Sequence, residues 1–489
     1  MAKHDGRGPR RRRHALAAAF TAFAAFAAFA CAGAPEARVD AAVDAADEPR
    51  VDATDEPLNE PTETSGRALG LSDADADAAA EASPQTRPTR EQLEILGRLG
   101  DAWVTAKDAA PAKDGSAPPG DALSAYGAYF GFGPGLAARG VDGPAGRVFL
   151  ARLAARGERK GIALLIHGYR AHAGHFAPFA ELLAGAGWDC YLVDLPGHGL
   201  SEGQRFGIGD FGDYGRATQA AIQAIRELEA KRGDVDSFTY DGDSLTYDDD
   251  TFSYDDDTFS YDGDSLTYDG DSFSYDDDSL TGDGDSLTGD GAASEDRRGR
   301  TPLVLIGHST GCSAIIEAFR LSPAEEGPPP ADGVVFAAPL VDMPNKRIRG
   351  ALNAVAGERL LELPGFAASP ALIGPGVACN PEYREFIARG DPLSDWVYHT
   401  SWLNSYLDWY DGLAENRPLV FAGPALVVQG TGDTVVNWRG SQELLDRMFP
   451  ARDTRFYEGY SHTILNATPE RLSRVFADVE AFLAELAPR

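Results

Sequence analysis

From Ile162 to Tyr457 the chain alternates two hydrophobic periods, and no other feature narrows its fold as much. Continuous apolar runs at 162–166, 191–193, 303–306, 334–337, 425–428 and 455–457 are separated by amphipathic segments such as "FAPFAELLAGAG", "YGRATQAAIQAIRELEAKR" and "RLSRVFADVEAFLAEL". A strand that is apolar throughout has to be covered on both faces, and the intervening helices supply the cover. The pattern predicts an α/β domain with a mostly parallel central sheet and helices on both faces. The strand-like "GRVFLARL" from Gly146 opens it, and "REQLEILGRLGDAWVTA" from Arg90 predicts a helix ahead of it.

One stretch breaks the alternation. Residues 233–288 form eight tandem seven-residue units, such as "YDGDSLT" at 240–246 and "YDDDTFS" at 254–260. A seven-residue period invites a coiled-coil reading, but Asp, Gly, Ser and Thr are poor helix formers and the apolar positions lack the a/d pattern. Residues 233–291 hold 20 Asp and no Lys or Arg, the composition of a solvated low-complexity insert. Weak calcium chelation by the Asp-x-Asp-x-Ser/Thr spacing is the alternative. The insert enters ahead of a strand's amino end, whereas ligands of such sheets bind at the carboxyl ends. It is therefore expected to hang away from any active site. It carries 20 of the 32 excess negative charges, a balance that excludes a nucleic-acid surface through repulsion from phosphate.

The N-terminus joins Lys3, Arg7 and Arg10 to Arg13 to an uncharged Ala/Phe run from Ala15 to Ala34, the layout of an export signal over 1–34. Ala28-Phe29-Ala30 is a small-x-small cleavage pattern. Cys31 follows it and is the candidate lipidation site, as in bacterial lipoproteins. The expected location is exported, in the bacterial cell envelope or outside it, with membrane association through that N-terminal lipid. Residues 35–89 are mainly Ala, Asp, Glu, Pro and Thr with almost no aromatic residue, so they read as a disordered acidic tether. Four cysteines make no disulfide framework, and Cys190 and Cys312, in apolar runs, read as small buried hydrophobes.

In "PLVLIGHSTGCSAIIEAFR" a strand stops on Gly307-His308-Ser309-Thr310-Gly311 and a helix follows. Strand, Gly-x-Ser-x-Gly, helix is a nucleophile elbow, in which the turn projects the serine hydroxyl and leaves room only for glycine at 307 and 311. In a chain with 54 Gly the pentapeptide alone is weak; the strand before it and the helix after it carry the assignment. A serine hydroxyl needs a base, and the base needs an orienting acid. Downstream, "ALVVQGTGDTVV" presents Asp433 after one strand and "TRFYEGYSHTIL" presents His462 after the next. Asp342, after the preceding strand, is the rival for the acid. The developing oxyanion needs donors, expected from the Thr310 N–H and from the Tyr169 N–H in "LLIHGYR".

In this order, "HGYRAHAGHFAPFAELLAGAGWDCYLVDLPGHGLSEGQRFGIGDFGDY", "VLIGHSTGC", "GDPLSDW", "VVQGTGDTVV" and "YEGYSHTIL" resemble the monoacylglycerol lipase and lysophospholipase group of α/β-hydrolases, often labelled serine aminopeptidase S33-like. "GHGLSEG" at 197–203 is the most group-specific element. The domain as a whole reads as 90–489. The resemblance spans about residues 145–487 apart from the acidic insert and implies an α/β-hydrolase with a helical cap at 342–423 inserted after the sixth strand. It carries the triad onto Ser309, Asp433 and His462 and the oxyanion donors onto Tyr169 and Thr310, with no metal or organic cofactor. The chain departs from the group at Arg170 and Cys312, where glycine is usual, and at Thr463, where Glu is common. Within the cap, read as one helix, Trp396, Trp402 and Tyr406 share a face. That face is a candidate lining for an acyl pocket, with simple packing as the alternative. The expected activity is hydrolysis of a small-molecule lipid ester, a monoacylglycerol or lysophospholipid. An aminopeptidase or amidase of the same fold is the first alternative, and a non-catalytic surface scaffold or calcium-binding protein the second.

Overall fold

The strand pattern is realised as a nine-stranded sheet. The computed structural model describes residues 86–108, 117–236, 300–322, 331–343, 366–367, 373–416 and 420–487. The export signal, Cys31, the tether up to residue 85 and the acidic repeats from 237 lie outside them. The described residues up to Glu227 and from Thr301 form one compact unit, which carries the sheet and the site. Of the second unit, Leu228–Arg300, only the end of one helix and Arg300 are described.

In chain order the strands are β1 (Val104–Thr105), β2 (Leu136–Gly143), β3 (Gly146–Leu153), β4 (Gly161–Ile166), β5 (Trp188–Val193), β6 (Leu303–His308), β7 (Gly333–Ala337), β8 (Phe366–Ala367), β9 (Val397–Tyr398), β10 (Ala425–Gly430) and β11 (Arg452–Tyr457). The large sheet runs β1-β2-β3-β5-β4-β6-β7-β10-β11, and β8 pairs with β9 in a separate ribbon. From β5 to β11 every neighbouring pair is parallel; β1-β2, β2-β3 and β3-β5 are antiparallel. The sheet is thus mostly parallel.

Successive strand residues face opposite sides of a sheet, and each side has its own cover. One phase, including Ala163, Leu165, Cys190, Val304, Ile306 and Val428, forms a single core. Helices Pro119–Phe130, Ala177–Gly185 and Pro469–Leu486 close it through Tyr126, Phe179 and Val479. The other phase sets Gly307 against Ile315 of helix Thr310–Arg320. It also sets Phe336 4.8 Å from Phe449, which ends helix Trp438–Met448. β4, β5, β7 and β10 are buried along their whole length, as continuous apolar runs require. The edge strand β11 alternates and leaves Phe456 exposed.

The sequence pattern does not disclose the antiparallel edge. β2 is "LAARGVDG", whose alanines, glycines and aspartate have low strand propensity. The helix from Arg90 is shorter than its sequence pattern. A reciprocal cap starts it, Thr89 Oγ accepting from Gln92 N–H and Gln92 Oε1 from Thr89 N–H, and it ends at Leu96 with Gly97 as C-cap. Trp103 to Thr105 then turn into the sheet edge instead of continuing the helix. The cap follows β7, which is sixth when counted from β2. Its described parts are the β8–β9 ribbon, a helix Pro381–Glu385 extended by a wide turn through Gly390, and helix Thr400–Asn416.

Candidate active site

Register brings the candidate residues to one edge. Ile166 pairs with Gly307, His308 with Ala337, Ala337 with Val428, and Gly430 with Tyr457. The loops after β4, β6, β10 and β11 therefore leave the sheet side by side at its carboxyl ends.

Ser309 is the strained residue the elbow requires, with φ 53 and ψ −117. A non-glycine residue in that region costs about 1–3 kcal/mol and persists only where its surroundings dictate it. They do so here. Ser309 N–H donates to Ala337 O at 3.0 Å, and Ser309 O accepts from the N–H groups of Cys312 and Leu340 at 3.0 and 3.2 Å. The close approach that excludes side chains is also real. A Cβ on Gly311 would lie 2.6 Å from Ile166 C and 2.8 Å from His167 O, and one on Gly168 would lie 2.9 Å from Ser309 Cβ. The loop bearing Tyr169 thus rests directly on the nucleophile elbow.

Geometry separates the two aspartates. His462 Nδ1 donates to Asp433 Oδ2 at 2.8 Å. The Asp433 carboxylate is held in turn by Val435 N–H at 2.7 Å, Val436 N–H at 3.2 Å and the Gln429 amide at 3.2 Å. Asp342 instead accepts from Asn437 Nδ2 at 2.8 Å and takes no part in the imidazole pair. With the proton on Nδ1, a neutral His462 keeps Nε2 as its acceptor. Ser309, His462, Tyr169 and Thr310 all line one cavity of about 240 Å³. Thr310 N–H is the first of its helix, one of four with no intrahelical acceptor.

His308 does more than fill the elbow. Its Nε2–H donates to the His462 carbonyl at 3.0 Å, so it braces the loop that carries His462. Burial holds its pKa down at about 3, and it stays neutral. The Gly-rich turn at 197–203 is a second brace. Asp194 carboxylate oxygens accept from Ala173 and Leu200 N–H at 2.6 and 2.7 Å, and Gly199, at φ 51, passes so close to them that no side chain fits. The same turn buries His198 against Tyr169, 5.5 Å between ring centres.

The cap grips the loop after β4 at three points. Tyr169 stacks on Trp402, ring centres 3.9 Å apart and planes at 19°, and its hydroxyl accepts from His399 N–H at 3.2 Å. Arg170 donates to the Asp395 carbonyl and the Tyr398 hydroxyl. His172 and His175 donate from Nε2 to the two oxygens of Asp391 at 3.1 and 3.0 Å. Burial alone would raise the Asp391 pKa, but the two imidazoles outweigh it and hold the carboxyl well below its ordinary value. These three groups also have the spacing of metal ligands. However, Gly174 N–H donates to His172 Nδ1 at 3.1 Å, which fixes the proton on the Nε2 a metal would need. The chemistry of the set is that of a hydrogen-bonded clasp.

Trp396 and Trp402 are on the cavity wall, and Tyr406 is not. Tyr406 is fully buried behind Trp402, 5.7 Å away, among Phe211, Trp409 and Tyr410. The sequence missed this because it ran one helical phase from Trp396, where the chain is still extended; the helix begins at Thr400. Cys190 and Cys312 are buried and free, as expected.

A mostly parallel sheet covered on both faces, with a strained serine between β6 and its helix, makes this protein an α/β-hydrolase. The model of the family described as serine aminopeptidase, S33, matches residues 157–238 and 276–469, just over half of the chain, and the chain belongs to that family. The match breaks inside the acidic repeats. Among solved structures the chain is similar to a monoglyceride lipase from Saccharomyces cerevisiae, at 14% identity over 72% of this chain and 95% of that one, with a TM-score of 0.49. It is also similar to a monoacylglycerol lipase from Paleococcus ferrophilus, at 20% identity over 69% and 98% with a TM-score of 0.44. A third is a carboxyl esterase from Bacillus coagulans, at 14% identity over 72% and 99% with a TM-score of 0.45. Among curated proteins, none matches.

Proposed function

We propose that this hydrolase cleaves carboxylic esters of lipids, monoacylglycerols or lysophospholipids, through Ser309, His462 and Asp433. One observation carries the reading: the Asp433–His462 pair opens, with Ser309, into a mostly apolar cavity whose described lining holds no Asp or Glu. A peptidase that trims N-termini has to neutralise a free α-amino group, and that calls for an acidic side chain at the site. An apolar wall around the nucleophile favours an acyl chain instead.

In the proposed reaction His462 Nε2 takes the Ser309 proton as the hydroxyl oxygen attacks the ester carbonyl. Asp433 holds the imidazole in the Nδ1–H tautomer and stabilises its cation. The Tyr169 and Thr310 N–H groups receive the oxyanion. The proton passes from His462 to the departing alcohol oxygen, leaving an acyl-enzyme. Water, deprotonated by His462, attacks that acyl carbon; the acid leaves and the proton returns to Ser309. The export reading joins this proposal: an anchored enzyme would meet its lipid at the envelope surface, and a lipid mass on the mature protein that disappears in Cys31→Ala tests it.

Hydrolysis of p-nitrophenyl esters from acetate to palmitate, by the wild type, Ser309→Ala and His462→Ala, tests the chemistry. Activity rising toward medium or long chains and lost in both variants supports it. Folded protein without serine-dependent activity on any ester would refute it and favour the aminopeptidase.

A further inference from the structure

Of the described side chains that wall the cavity, Arg170 alone is a Lys or Arg, and no Asp or Glu accompanies it. Its guanidinium is fixed. Nε and Nη2 donate to the Asp395 carbonyl at 3.2 and 2.7 Å, Nη2 also reaches Ser394 Oγ at 3.5 Å, and Nη1 donates to the Tyr398 hydroxyl at 3.1 Å. Its central carbon lies 4.2 Å from the Trp396 ring centre and 4.7 Å from that of Tyr398. All of these partners are neutral. Among the described residues no carboxylate oxygen lies within 4.0 Å of it.

Arg170 is half-buried beside an apolar wall, and the hydration it loses there is not replaced by a carboxylate among the described residues. Arg170 bears a second cost, a φ of 64 that strains any residue with a side chain. Both fall one residue from Tyr169 and two from the glycine packed on Ser309. Strain and an uncompensated charge meeting at a cavity wall are the marks of a ligand-binding residue. Tyr398 engages one of the two Nη1 hydrogens; among the described residues nothing accepts the other, which an anionic oxygen would take in a charge-assisted bond.

We propose that Arg170 selects substrates by charge: the site prefers acyl esters whose alcohol part carries an anionic oxygen group, a phosphate or a carboxylate, close to the scissile carbonyl. This rests on the ester reading above. The test compares 1-lauroylglycerol, 1-lauroylglycerol 3-phosphate and the lauroyl ester of glyceric acid, which share an acyl chain and differ in charge. The expected result is a kcat/KM ratio of about tenfold in favour of at least one anionic ester, and the arm that carries the preference identifies phosphate or carboxylate as the group. The ratio should collapse toward one in Arg170→Gln, survive in large part in Arg170→Lys, and shrink with added salt in the wild type. Equal kcat/KM for neutral and anionic esters in the wild type would overturn the proposal, and that result needs no variant to fold. So would a ratio unchanged in Arg170→Gln, even with all rates reduced, which is the signature of a residue that only fastens the cap. Hydrolysis that persists in Ser309→Ala would instead overturn the ester reading itself.

Discussion

Replacing Gly311 by alanine should damage both stability and turnover, and the structure sets the size of each effect. The new Cβ would stand 2.6 Å from Ile166 C and 2.8 Å from His167 O, closer still to the Ile166 carbonyl oxygen, where ordinary contact begins at 3.4 Å. The Ile166 oxygen sets the shift, so either the elbow or the end of β4 must move by about 1 Å or more, against backbone rather than a side chain that could swing away. Overpacking of this kind costs about 1–3 kcal/mol, a Tm drop of roughly 2–10 °C for a domain of this size. The displaced segment leads straight into Tyr169, the proposed oxyanion donor. A misplacement approaching 1 Å at a reacting centre can lower turnover by about 100-fold. Thermal unfolding and kcat/KM on a p-nitrophenyl ester read the two effects, with Gly185→Ala as control because a Cβ there meets nothing within 4 Å. A Gly311→Ala variant with wild-type Tm and kcat/KM would refute the argument that this approach is what demands glycine.

Asp433→Asn should lower kcat roughly a thousandfold or more by reversing the imidazole tautomer, whereas Asp342→Asn should act on stability rather than turnover; single-turnover kinetics on the same ester separates them. His308 and His198 are held neutral by burial with pKa values of about 3, below the ordinary histidine value. The unfolded chain therefore binds protons from about pH 6.5 downward that the folded protein refuses until about pH 3, and stability should fall across that window by about 1.4 kcal/mol per pH unit for each. A Tm that is flat or rising from about pH 7 to pH 5 would contradict this. Asp391→Ala leaves the His172 and His175 Nε2–H groups without their acceptor. A loss of about 1–3 kcal/mol with a raised KM is expected from denaturant unfolding and steady-state kinetics, and an unchanged KM would show that the clasp does not shape the site.

The parallel core was legible because burial on both faces writes itself as uninterrupted aliphatic runs, as in "GIALLI" and "GVVFA". The elbow was legible because its strand, glycines and helix are adjacent in sequence. The sequence favours Asp433 over Asp342 through its segment and the resemblance, whereas the pairing itself, the 2.8 Å bond to His462, is visible only in the structure. The clasp joins residues more than 200 positions apart, and its cap half offers no local periodicity. β2 escaped notice because its burial comes from neighbours rather than from its own apolar content. Of the two readings of the aromatic face, Tyr406 follows simple packing, because the helix starts at Thr400 and one phase does not run through from Trp396.

Between Tyr169 and His175 four side chains, those of Tyr169, Arg170, His172 and His175, meet the cap through Asp391, Asp395, Tyr398, His399, Trp402 and their neighbours. Neither partner in such a joint can drift alone without loosening Tyr169, the proposed oxyanion donor. In related chains the two segments are therefore expected to covary as one module, so that a new substrate range would arrive through paired replacements in 169–175 and 391–402 instead of through the cap by itself.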